Sequence, residues 1–374
     1  MGSEPMRLTF PHIGTAYVAI SAMLKRAGVD YVVPPFSSHR TLSLGVRYSP
    51  EFVCLPYKLV MGNIIEGLES GADTVLMIEG DGLCRLGNYA SAMEKALRDL
   101  GYDFKMITTR LFEGRIFGLP KLLKRISGGA PTAQILSGIR FALSKMNALD
   151  TVEIEVQVVR ARESVQGSAD QTWLQAISDI DQADTVEGTH RARDIALGKL
   201  AEIPQNGRAD PLRVAIVGEI FVVLDPFVNM DVEKELGRLG VEVHRTILLS
   251  DWTRSSLILA PFGYSQHKEA HQAAMPYLKR DVGGDGWESV GDTVVHANEG
   301  FDGVVHLSPF TCMPEIIAQN IMPKVMQDTK IPVLTITCDE QMGRQGVITR
   351  VEAFVDLMRR KRDESQRCPA LIER

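Results

Sequence analysis

The sequence predicts an α/β fold with two open parallel sheets, one in each half of the chain, separated by a helical region. Three observations carry this. In the first third, short apolar runs alternate with helical patterns, the signature of βα units around a parallel sheet. Between residues 118 and 203 the strand signal fades, and Ala, Leu, Arg, Gln and Glu recur at helical spacing. Beyond the linker-like Pro204-Gln205-Asn206-Gly207 the alternation resumes.

In chain order, residues 7–10 form the first predicted strand. His12-Ile13-Gly14-Thr15 is a turn and cap for a helix running to Ala27, and a second strand, 31–33, stops at Pro34-Pro35. Strands at 74–78 and 104–107 flank a helix at 89–100. The middle region is helical, most clearly at 135–147 and 191–203. The second α/β unit opens with a strand at 213–217, adds strands at 241–247, 303–307 and 333–337, and starts helices near Asn229, Glu315 and Ile348. A glycine-rich loop, 281–286, leads into a helix at 288–298. The expected divisions are therefore an N-terminal α/β domain, 1–117, a helical region, 118–205, and a C-terminal α/β domain, 206–374.

A chain of 374 residues exceeds the usual size of one domain, and with 45% apolar and 24% charged residues its composition is that of a globular protein. No stretch reaches the ~18 unbroken apolar residues of a membrane span. A net charge of -6 argues against a broad nucleic-acid surface, so with no spanning stretch neither nucleic acid nor membrane is an expected partner. The first ten residues carry neither a basic segment with an apolar stretch behind it nor a myristoylation signal, which predicts a cytoplasmic protein.

In that reducing compartment an odd count of five cysteines does not form a disulfide framework. Ligands of open parallel sheets bind beyond the carboxyl ends of the strands, and three cysteines are predicted to lie there or at a helix start. Cys84 follows the strand 74–78, Cys312 follows the strand 303–307, and Cys54 heads the helical run 58–70, with Lys58 adding positive charge. A helix N-terminus favours a thiolate, and a thiolate is what a metal binds. The alternative is that each packs as a small hydrophobe. The absence of any C-x2-C pair argues against a zinc ribbon or a bacterial ferredoxin, and points to a site assembled from both domains. Cys338 follows the strand 333–337 and is either a further ligand or a packed strand-end thiol, while Cys368 is an exposed terminal residue.

Six carboxylates, Glu79, Asp81, Glu219, Glu315, Asp339 and Glu340, also fall at strand exits. One raised by burial would shuttle a proton, with Glu79, Asp81 and Glu340 as the catalytic candidates; the alternative is that they cap helices, which already explains Glu315. Gly283-Gly284-Asp285-Gly286 is either a phosphate cradle or a plain turn, and without a Lys-Ser/Thr ending it does not support ATP hydrolysis. His306 lies inside a strand as a core residue, and His12, in a strand-exit turn, is the better-placed histidine, with a structural role as its alternative.

Several segments together resemble the 2-hydroxyacyl-CoA dehydratase subunits and their relatives, the double-cubane cluster proteins. They are residues 40–58 ending in Phe52-Val53-Cys54-Leu55-Pro56-Tyr57-Lys58, then Gly82-Leu83-Cys84-Arg85-Leu86-Gly87-Asn88-Tyr89, and Pro309-Phe310-Thr311-Cys312-Met313-Pro314-Glu315. Residues 217–223 and 339–350 agree, and the likeness spans nearly the whole chain. It is nearest to the acyl-CoA dehydratase activase-related branch, also called CoA protein activase.

The resemblance implies two flavodoxin-like (Rossmann-like) domains with a helical part, and a [4Fe-4S] cluster on Cys54, Cys84 and Cys312 whose fourth iron is left to solvent or a substrate oxygen. Cys338 is a possible neighbour. It also implies a separate ATPase activator of the actin-like sugar-kinase superfamily that delivers a low-potential electron, a homo- or hetero-oligomer with a related subunit, and an anaerobic setting. The reaction implied is low-potential reduction or radical dehydration of a small substrate such as an acyl-CoA. The alternatives are a non-catalytic electron-transfer or accessory subunit that holds the cluster, and a cluster-free binding module that keeps the fold. Two departures stand out. The family's Gly-Pro-Cys-Arg is Gly82-Leu83-Cys84-Arg85 here, and five cysteines with one terminal do not supply a double cubane.

Overall fold

A computed structural model describes residues 6–78, 83–108, 118–207, 210–255 and 267–367. The first sheet contains β1 (Arg7–Thr9), β2 (Asp30–Tyr31), β3 (Thr74–Met77) and β4 (Lys105–Thr108). Around it run α1 (Ala16–Ala27), α2 (His39–Tyr48), α3 (Leu55–Glu69), a 3₁₀ turn (Arg85–Asn88) and α4 (Tyr89–Asp99). The middle of the chain is α5 (Gly118–Ile126), α6 (Thr132–Arg160), α7 (Ser168–Gln182) and α8 (Val186–Ala201).

The second sheet is made by β5 (Leu212–Gly218), β6 (Val241–Arg245), β7 (Gly303–Pro309) and β8 (Val333–Cys338). Its helices are α9 (Ile220–Leu224), α10 (Val232–Arg238), α11 (Leu249–Thr253), α12 (Lys268–Ala274), α13 (Gly286–Asn298), α14 (Met313–Thr329) and α15 (Arg344–Arg367). No helix among the described residues is long and apolar enough to cross a membrane.

Both sheets are parallel throughout and share one order, β2-β1-β3-β4 and β6-β5-β7-β8. This is the flavodoxin-like order, which reverses between the first and third strands and so opens a crevice beyond the carboxyl ends of β1/β3 and of β5/β7. The opposite edges repeat a device. Asp73, just before β3, accepts from the Arg7 amide of β1 at 3.1 Å, and Asp302, just before β7, accepts from the Arg213 amide of β5 at 2.8 Å.

The two sheets are not independent in their cores. The largest apolar cluster joins Leu59, Ile64, Val75 and Met93 of the first half to Val214, Phe221, Leu307 and Phe354 of the second. Helix α3 lies inside this cluster, buried on every face from Leu55 to Leu68. It is pressed against α2 backbone to backbone, since a Cβ at Gly45 would stand 1.7 Å from the Lys58 carbonyl oxygen and one at Gly62 would stand 2.0 Å from that of Thr41.

The helical region also bridges. Its long helix α6 packs on α1, and carries Arg160 to Asp170 and Glu233 at 2.8 and 3.2 Å, while Glu153 on the same helix meets Arg245 of β6. Helix α2 is absent from the sequence prediction, because only Thr41 and Gly45 of its ten residues are buried and its pattern is too polar to register. Helix α10 starts at Val232 rather than near Asn229, since Met230 and Asp231 adopt left-handed backbone.

Candidate functional site

Cys54, Cys84 and Cys312 occupy the same local position: each caps the N-terminus of the helix or turn that follows, α3, the 3₁₀ turn and α14 respectively. Two of them also share a downstream device, Pro56 and Pro314 in the first turn, where a missing N–H costs nothing and a fixed φ starts the helix. The Leu86 amide donates to Cys84 Sγ at 3.5 Å, and the amides of Tyr57 and Glu315 favour the thiolates of Cys54 and Cys312 in the same manner. Cys54 Sγ also shares a short hydrogen bond with the Tyr89 hydroxyl.

One guanidinium ties the three loops together. Arg85, the residue after Cys84, donates to the Phe52 and Thr311 carbonyls, both at 3.2 Å, and so bridges the approaches to Cys54 and Cys312. Thr311 sits at φ 60°, a left-handed conformation that costs a β-branched residue on the order of 1–3 kcal/mol. The glycine-rich loop closes over the same place: a Cβ at Gly283 would meet the Cys84 amide nitrogen at 2.7 Å, and its own N–H is spent on Asp281 Oδ1 at 2.7 Å. The loop is a packing element against Cys84 and Pro314 and not an open phosphate cradle.

The groups feel one another. Beyond burial, the largest cause, Cys54 raises the thiols of Cys84 and Cys312, and the Glu219 carboxylate raises these three and Cys338 as well. Glu219 caps α9 through the Val222 amide at 3.1 Å and is itself pushed up to about 7 by desolvation, with Glu315 adding to it. Asp285 is raised by desolvation and by both of these acids, and accepts from the Ile220 amide at 3.0 Å.

Desolvation also decides the thiols. The helix N-termini were expected to favour thiolates, yet burial outweighs the amides and raises Cys54, Cys84 and Cys312, and takes Cys338 to about 12. By itself the protein keeps these sulfurs protonated and poorly nucleophilic. Metal binding would have to displace those protons, as it does wherever thiols ligate.

Cys338 differs from the other three. It ends β8, is fully buried, caps no helix, and its thiol faces the Ile336 carbonyl at 3.9 Å. Among the catalytic candidates, Glu340 accepts from the buried Lys58 ammonium at 2.9 Å. Desolvation alone would raise it, but the ammonium prevails and holds it below the usual range, which suits an anchor of α3 and not a proton donor. Glu79, Asp81 and Cys368 lie outside the described residues.

Glu315 is fully buried and accepts from Ser289 at 3.0 Å; His306 Nε2 lies 2.7 Å from the same oxygen, while His306 Nδ1 meets Thr335 Oγ1 at 3.3 Å. His306 is thus the core residue the sequence predicts. The roles of Tyr89, Arg85 and Asp285 are absent from the sequence reading. The one local signal was the repeated Cys-x-Pro of Cys54-Leu55-Pro56 and Cys312-Met313-Pro314, which marks two sulfurs as helix caps.

Among the described residues no three of His, Cys, Asp and Glu stand close enough to hold a single ion. An iron–sulfur cubane takes its ligands on separate irons and does not need that convergence. The features that fit it are three cysteines at N-cap positions on three chain segments, a backbone amide near each sulfur, and one arginine fixing their loops. Compared with known proteins, the chain matches no family model and no curated protein matches it in sequence.

Proposed function

We propose that the chain is a [4Fe-4S] protein of the 2-hydroxyacyl-CoA dehydratase type, with Cys54, Cys84 and Cys312 as ligands and Cys338 as a buried neighbour. The single observation that supports this best is the shared geometry of the three thiols. Cysteines 30 and 228 residues apart (84 − 54 and 312 − 84) all stand at N-cap positions within electrostatic reach of Glu219, a coincidence that packing of small hydrophobes does not require. A cluster held there would supply a low-potential one-electron site and, at an iron without a protein ligand, a Lewis acid for a substrate oxygen such as that of an acyl-CoA.

The chain's own residues would do the rest. Arg85 fixes the ligand loops, Tyr89 gives Cys54 a hydrogen-bonding partner, and Glu219, poised near 7, can hold or release a proton beside the sulfurs. The rim of the site is apolar and exposed, with Phe52 72%, Leu83 65% and Phe310 43% accessible. Such a rim suits a docking partner, in this reading the ATP-dependent activator or a related subunit.

The same rim favours a second reading, a non-catalytic electron-transfer or accessory subunit. The two are separated by adding acyl-CoA thioesters to the anaerobic, iron-loaded chain: a spectral change supports the enzyme, and silence towards every small ligand supports the carrier. Ligation is tested by Cys312→Ala and Cys338→Ala. The first is expected to lose nearly all iron and the second to retain it; iron retained in Cys312→Ala would overturn the assignment.

A further inference from the structure

The exit of β1 carries no cysteine and instead borders a cavity of about 520 Å³, within the size range of small-molecule sites. Its walls come from the turn after β1, Phe36 and Ser37 after β2, helices α6 and α7, the loop after α9, and single residues of α10, β6 and α11. The walls are mainly apolar and aromatic. His12 stacks on Tyr17 with centroids 5.3 Å apart, and Phe36 stands edge-on to both at 4.6 and 5.5 Å. Trp173 and Leu174 face them from α7.

The polar groups in this wall are lopsided. Asp150, Glu153, Asp181 and Asp225 contribute carboxylates, against which stand Arg245 and Lys234. Neither cation is free: Arg245 is paired with Glu153 and Glu233, and Lys234 with Asp231 at 3.1 Å. A phosphate or carboxylate entering here would find no unpaired cation in this lining to claim.

One polar atom is left over. His12 is 2% exposed, its Nδ1 lies 3.3 Å from the Pro34 carbonyl, and its Nε2 has no partner. A carbonyl accepts only, so Nδ1 carries the proton and Nε2 is a bare acceptor. Burial holds the ring neutral, down at about 4, against the smaller opposing pull of the Pro34 and Gly14 carbonyls. A buried acceptor without a donor is costly, and a ligand that supplies one recovers that cost.

We infer that this cavity binds a small, largely apolar molecule without negative charge that presents a hydroxyl or ammonium donor to His12 Nε2. Phe36, 66% exposed, is the ring that packs edge-on against His12 and the one that must turn aside to open its buried Nε2 to a ligand. The phosphorylated end of a coenzyme A ester does not fit this wall. The site is independent of the iron reading, because binding is measured on the chain with and without iron.

The test is calorimetry and saturation-transfer NMR with 2-phenylethanol, phenethylamine and 3-phenylpropanoate. The alcohol and the amine are expected to bind, and the carboxylate at least about tenfold more weakly. Leu174→Trp, at an exposed position of the wall, is expected to abolish binding without disturbing the core. His12→Phe is expected to weaken the alcohol about tenfold, the worth of one hydrogen bond to a buried acceptor. The inference is overturned if none of the three probes binds, if the carboxylate binds as well as the amine, or if Leu174→Trp leaves binding unchanged. Unaltered alcohol affinity in folded His12→Phe would equally overturn it.

Discussion

The exits of β3 and β7 and the exit of β1 belong to sheets of one topology and differ in chemistry. Beyond β3 and β7 the chain places Cys84 and Cys312 as helix caps, joined by Cys54. Beyond β1 it places His12, which lines an aromatic cavity together with the loop after α9, while Glu219 at the exit of β5 belongs with the sulfurs. Burial acts on both and leaves both short of charge: the thiols keep their protons and the imidazole gives its proton up. The difference teaches that one topology can hold two kinds of readiness. The sulfur side needs a cation to become charged, and the aromatic side admits a ligand that brings no negative charge.

The largest change in stability is expected on the sulfur side, at the support of Cys54. Glu340→Ala strands the Lys58 ammonium, 2% exposed, with only the Glu51 carbonyl at 3.0 Å, and should cost about 3 kcal/mol in chemical denaturation. A loss under about 0.5 kcal/mol would mean that the pair does not anchor α3.

Next come opposite pH signatures. Below about 6.5 the unfolded chain protonates His12 while the folded chain resists until about 4, so this group costs stability as pH falls through that window. Glu219 does the reverse. Between about 4.5 and about 7 the unfolded chain has lost a proton that the folded chain keeps, so its contribution falls as pH rises. His12→Phe should therefore gain relative to wild type between pH 7 and pH 4, and Glu219→Gln between pH 4 and pH 8, each on the order of 2 kcal/mol. Parallel pH curves for wild type and either variant would break the comparison. The smallest effect is at Thr311, where Thr311→Gly relieves the left-handed backbone at φ 60° and should stabilise the chain by about 1 kcal/mol in thermal melts.

Much of this architecture was legible in the sequence, because alternating apolar runs and helical patterns report βα units directly. The parallel sheets, the helical middle and the strand-exit setting of Cys84 and Cys312 follow from that alone. The rest depends on contacts between distant segments. Nothing local says that Arg85 reaches the Phe52 and Thr311 carbonyls, that a core runs through both sheets around α3, or that His12, Trp173 and Phe227 line one cavity. The balance at the thiols was misjudged for the same reason. The capping position is a local property, and the desolvation that outweighs it is set by tertiary packing.

The proposed cluster on Cys54, Cys84 and Cys312 is tested most directly by iron and sulfide analysis with optical and electron-paramagnetic spectroscopy on anaerobically purified protein. The account predicts a brown protein with about four irons and about four sulfides per chain, bleached by air. Stoichiometric zinc and no visible absorption under the same conditions would contradict it.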